Sequence, residues 1–106
     1  MDYIEMNFRQ AKQQAARLEN LASRLENLAK REMEETLQRL SGCWRGKGAD
    51  VYMQKGHRLS EDILQTAGDL QRTAQTIRTT AKRTYDAEMR ARELAEKRMY
   101  GEGEQG

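Results

Sequence analysis

The sequence predicts an all-α protein, an antiparallel two-helix hairpin that dimerises into a four-helix bundle. Three observations predict it. Proline is absent from all 106 residues. Apolar side chains recur at steps of three and four over two long stretches, the signature of a helix with one buried face. Glycine is missing from Met1 to Ser41 and then occurs three times between Gly42 and Gly48. Only 37% of residues are hydrophobic and 34% are charged, while aromatic and β-branched residues that favour sheets are scarce. A hairpin explains the low apolar fraction, because each of its helices has a single stripe to bury.

The first helix is expected over about residues 2–40. Asp2 is placed to cap it, with Glu5 three residues later at capping-box spacing. Ile4, Phe8, Ala11, Ala15, Leu18, Leu25, Met33, Leu37 and Leu40 follow at helical steps. Arg17-Leu18-Glu19-Asn20-Leu21-Ala22 is repeated seven residues on as Arg24-Leu25-Glu26-Asn27-Leu28-Ala29. A period of seven makes Leu18, Leu21, Leu25 and Leu28 an apolar seam of coiled-coil type.

The turn is expected at residues 41–48, where Gly42, Gly46 and Gly48 permit the reversal. The second helix is expected over about residues 49–98, with Leu59, Ile63, Leu70 and Ile77 on its inner face. Ala and Thr are frequent there, which lowers both helix propensity and buried area. Residues 1–98 form one domain, and 99–106, rich in glycine and polar residues, form a flexible tail. Two helices alone make one seam and enclose little, so the leucine stripe implies a second pair of helices. The seam residues Leu18, Leu21, Leu25, Leu28, Leu59, Ile63, Leu70 and Ile77 are therefore expected to serve the core and the dimer together.

The single Trp of the chain, Trp44, sits in the glycine turn. An indole there caps the open end of the hairpin, packing near Leu40, Val51 or Tyr52, with Gly46 supplying the backbone angles beneath it. Trp44-Arg45-Gly46, midway along a chain of this length and between two proline-free helices, resembles the WXG family of ESAT-like proteins. Ala49 and Tyr52 resemble the wider pattern around that turn. The resemblance implies a small hairpin protein exported by a type VII secretion system without a cleaved signal peptide. It further implies a homodimer, or a heterodimer with a related hairpin, that presents helical surface to a secretion ATPase or escorts a larger client toxin. The family also carries a C-terminal Tyr followed four residues later by an acid. Here Tyr85 is followed by Glu88 at three residues, whereas Tyr100 and Glu104 keep the spacing but have Gly101 and Gly103 between them. Both pairs stand as candidate export signals.

No enzyme is expected, nor any cofactor or metal. One Cys excludes an internal disulfide framework and a cysteine-cluster zinc site. His57 is the only His, so a two-His metal pair is excluded as well. It lies fourteen residues after Cys43, too distant along a hairpin to serve as its general base. Cys43 reads as a small, partly buried turn residue and His57 as a surface one. No apolar run approaches the roughly 18 residues that span a membrane, and no charged-then-apolar start resembles a cleaved signal peptide. The formal net charge is +2, and the local basic run Arg72, Arg78, Lys82 and Arg83 reads as a solvated helix face. Nucleic acid is not an expected partner. Two alternatives stand beside export: a cytoplasmic coiled-coil adaptor, and a basic helical binder of nucleic acid or membrane acting through that run.

Overall fold

A computed structural model describes the backbone of residues 2–105 and the side chains of residues 2–99. Every regular element among them is helical. Helix α1 spans Tyr3–Asn27 and passes without a break into one π-helical turn, Leu28–Met33. Helix α2, Glu34–Cys43, continues the same rod, and α3, Lys47–Gln105, returns antiparallel to it. The molecule measures 90 × 19 × 12 Å, the proportions of a two-helix rod. The predicted hairpin is present. Its turn is Trp44-Arg45-Gly46, shorter than the expected residues 41–48, because Ser41 to Cys43 extend α2 and Lys47 already opens α3. At the far end α3 runs through Gln105, past the expected boundary near residue 98.

Asp2 starts α1 as predicted, its Oδ1 accepting the Ile4 N–H at 3.0 Å. The same carboxylate receives both Nη atoms of Arg92 at 2.8 Å, which ties the beginning of α1 to α3. The hydrogen bond from Arg92 holds the Asp2 carboxyl down to about 2. Beside it Phe8 stacks on Tyr85 with ring centroids 4.7 Å apart, and Lys12 Nζ lies 4.5 Å from the Phe8 centroid. From Glu93 onward α3 projects beyond the start of α1 by about 20 Å at 1.5 Å per residue, and Leu94 and Met99 on this overhang are exposed.

The seam between the two arms is made of small residues. Ala15, Ala22 and Ala29 are buried on one arm, and Ser60, Ala67 and Ala74 on the other. Each set steps by seven, so six small side chains face one another where the expected leucine seam was placed. The leucines of the heptad repeat lie beside this line. Leu18, Leu25, Ile63, Leu70 and Ile77 are half-buried, while Leu21, Leu28 and Leu59 are exposed. Alanine side chains let the backbones approach closely, and the bulkier residues then have room only at the flanks. The energetic consequence is direct. Burying one methyl contributes roughly 0.8 kcal/mol and a whole leucine side chain about 1.5–3 kcal/mol, so an alanine seam stabilises the hairpin less than a leucine seam would, and Leu21, Leu28 and Leu59 are left exposed.

The π turn corrects a mismatch of one residue. Buried positions step by seven from Ala15 to Ala29, then by eight to Leu37. A turn with i to i+5 spacing absorbs the extra residue and keeps Leu37 on the inner face. There Leu37 meets Gly56 of α3: a Cβ at Gly56 would lie 2.5 Å from Leu37 Cδ2.

Candidate functional site

The hairpin tip is built from the end of α2 and the start of α3. Trp44 leaves the helix in extended geometry (φ −128°, ψ 121°), and its N–H still donates to Leu40 O at 2.8 Å. Gly46 follows with φ +115°, the backbone region that disfavours side chains, and its carbonyl accepts the Asp50 N–H at 3.0 Å. The indole folds over the first turns of α3. Its Cζ2 would stand 3.8 Å from a Cβ at Gly48, and its ring lies 5.5 Å from that of Tyr52 with a tilt of 55°. The indole thus lies beside Tyr52, one of the three neighbours expected for it, and Ala49 in the same first turn of α3 is buried. Trp44 nonetheless keeps 43% of its surface exposed, beside the exposed Val51 and Tyr52.

The two sides of the hairpin differ. One carries the bonds between the arms: Glu19 to Arg78 at 2.6 Å, Glu26 to Gln71 at 2.8 Å and Glu34 to His57 at 3.3 Å. Each contact joins exposed side chains and contributes at most about 1 kcal/mol, so together they fix register more than stability. On the opposite side Leu21, Leu28 and Leu59 project, 44%, 36% and 54% exposed. Near the tip this side opens into a groove of about 430 Å³. Its apolar walls are Leu28, Met33, Leu37, Leu40, Tyr52 and Leu59, and Glu32 and Lys55 stand among its polar lining. The π turn contributes Leu28, Glu32 and Met33 to it, so the residue inserted in the heptad also shapes the groove. Neither the groove nor the π turn was foreseen from the sequence. The eight-residue step from Ala29 to Leu37 is the signal that reveals both.

The chain was compared with protein-family models, with curated proteins and with solved structures. It matches none of them.

The remaining candidate residues fall into place individually. Tyr85 is half-buried against Phe8, so its ring serves packing between the arms, and Glu88 beside it is exposed. Tyr100 and Glu104 lie outside the residues whose side chains are described. Cys43 is exposed where a partly buried thiol was expected, because the helix runs through it; its Sγ–H points back to Arg39 O at 3.3 Å. His57 is on the surface, paired with Glu34. Within the basic run, Arg72 pairs with Asp69, Arg78 with Glu19 and Lys82 with Asp86, so acids accompany three of its four cations. Among the described residues no three His, Cys, Asp or Glu side chains are grouped to hold a metal ion, and no helix is long and apolar enough to cross a membrane.

Proposed function

We propose that this chain is a non-enzymatic hairpin protein of the WXG, ESAT-like kind, a substrate or partner of a type VII secretion system. It pairs with itself or a related hairpin into a four-helix bundle. In that form it leaves the cell by a route without a cleaved signal peptide, alone or escorting a larger client with a similar helical segment. The observation that carries this reading is the coincidence of Trp44-Arg45-Gly46 with the whole of the turn, its glycine at positive φ and its indole on the face of α3. The exposed leucine side supports the pairing, since an apolar stripe left outside a two-helix seam is the kind of surface that a second hairpin covers.

A coiled-coil adaptor retained in the cytoplasm would show the same assembly, so export separates the two readings. The tagged chain is expressed in its organism of origin, with and without the membrane-bound secretion ATPase, and cell pellets and culture medium are probed beside a cytoplasmic lysis marker. Release that depends on the ATPase is expected. Retention in both strains, with the chain folded and abundant, overturns the export reading in favour of the adaptor. The binder reading predicts an affinity for nucleic acid or anionic vesicles that falls steeply with salt. The acids beside Arg72, Arg78 and Lys82 weaken the positive field on which such binding depends.

A further inference from the structure

The groove beside the tip has the dimensions of a helix. It runs between the two arms on their open side, from Leu28 and Leu59 to Leu40 and Tyr52. Leu28 and Leu40 are twelve residues apart, about 18 Å or three helical turns at 1.5 Å per residue. At the tip end Tyr52 lies beside the exposed Trp44, so apolar surface continues from the groove onto the tip. A cleft of this form takes an amphipathic helix, whose anchors at i, i+3, i+4 and i+7 enter between the two walls.

Charge selects the kind of helix. Between Leu28 and Leu59 the chain carries seven cations and four acids, a larger excess than the +2 of the whole chain. Two of those acids are already engaged, Glu34 by His57 at 3.3 Å and Glu35 by Arg39 at 3.8 Å. Lys55 lines the groove and forms no ion pair among the described residues. Glu32 is the one acid in the lining. Other occupants lack the complement. A second copy laid tip over tip repeats the same excess of cations. Laid tip over base, it offers residues 2–14 and 85–99, in which acids and cations are equal in number. A membrane presents a plane, whereas the groove is concave and lies on the flank of a rod 90 Å long.

We infer that the groove takes an amphipathic helix of a different chain, apolar on one face and acidic beside it. The inference rests on the pairing reading above and names the chemistry of the partner. A second copy, without those acids, holds the same side more weakly.

Trp44, the only Trp, reports on the site through its neighbour Tyr52. The intact chain is titrated with a synthetic peptide of about five helical turns, leucine along one face and glutamate elsewhere, while indole emission is followed. A second titration uses the same peptide with lysine in place of glutamate. A blue shift is expected with the glutamate peptide, at a Kd about tenfold or more below that of the lysine peptide in low salt, and the ratio shrinks as salt rises. Lys55→Glu raises the Kd for the glutamate peptide about threefold or more, and Glu32→Lys lowers it. Both side chains are exposed, and circular dichroism confirms that the variants are folded. Equal Kd values, a preference for the lysine peptide, or a shift produced only by vesicles of equal phosphatidylcholine and phosphatidylglycerol overturn the acidic helix. Light scattering of the chain alone separates this from self-pairing. A dimer that ignores both peptides overturns the acidic occupant and leaves self-pairing intact. A monomer that binds the glutamate peptide overturns self-pairing and leaves the occupant.

Discussion

Gly56→Ala tests the packing of the hairpin at one atom. In an exposed helix interior, alanine is about 0.8–1 kcal/mol better than glycine, so propensity alone makes this substitution stabilising. The structure reverses the sign. The added Cβ would lie 2.5 Å from Leu37 Cδ2, 3.2 Å from Cδ1 and 3.4 Å from Cγ, and Leu37 is only 5% exposed, so it can yield only by leaving its rotamer towards the groove that it walls. Overpacking of this kind costs about 1–3 kcal/mol, so the net effect is a loss of up to about 2 kcal/mol. Gly68→Ala, in the same helix, is the internal control. Its nearest neighbour is the flexible Arg72 Nη1 at 3.5 Å, so the propensity gain survives and the variant is stabilised by about 0.5–1 kcal/mol. Urea unfolding followed by helical dichroism at one fixed protein concentration measures both. A second arm removes the obstacle: in a Leu37→Ala background, Gly56→Ala stabilises. If Gly56→Ala and Gly68→Ala stabilise the parent equally, Leu37 does not sit against Gly56 and the register of the tip half is wrong.

Gly46→Val forces a β-branched residue to φ +115° with no compensating contact within 4 Å, and should cost about 1–3 kcal/mol of stability in the same urea experiment. Parent-like unfolding would show that the turn needs no glycine there. Ala67→Leu drives a large side chain into the closed alanine seam and should destabilise by about 1–3 kcal/mol, whereas Leu59→Ala, on the exposed side, should chiefly weaken self-association seen on dilution. Equal loss of hairpin stability from both would contradict the assignment of seam and flank. The Asp2 carboxyl falls from the usual 3.8 to about 2 in the fold, so the contribution of its contact with Arg92 is present above about pH 4 and is lost as pH falls through about 2. Hydrogen exchange at the Ile4 amide should report this acid-linked fraying, and Asp2→Asn should abolish the pH dependence.

Much of this architecture was legible in the sequence. The absence of proline, the run without glycine before Gly42 and the seven-residue repeat from Arg17 led to the hairpin, and Asp2 was placed as a cap from its spacing to the first apolar residues. The identity of the seam was less legible. Leu18, Leu21, Leu25 and Leu28 dominate any hydrophobicity profile, yet a pair of helices lying this close selects Ala22 and Ala29 for its centre and turns Leu21 and Leu28 outward. Periodicity reports which residues share a face. It does not report which of two adjacent strips, small or large, faces the nearer neighbour. The π turn is hidden for a related reason: the strict heptad ends at Ala29, and the single extra residue before Leu37 has no composition of its own. The turn is three residues rather than the expected eight because positive φ is required only at Gly46, while Gly42 and Gly48 lie within the flanking helices. For the functional site, Trp44 and Gly46 were visible as residue types, but the groove beside them depends on the helix register and was not.

One hairpin is expected to be half of an assembly, since its seam is centred on alanines while Leu21, Leu28 and Leu59 stay exposed and Leu18, Leu25 and Leu70 are only half-buried. Light scattering of the untagged chain across a dilution series, with helicity recorded on the same samples, tests this most directly. The prediction is a mass of twice 12.3 kDa at tens of micromolar, falling towards 12.3 kDa on dilution with a parallel loss of helicity. A fully helical species of 12.3 kDa whose mass and helicity are the same at every concentration would contradict it.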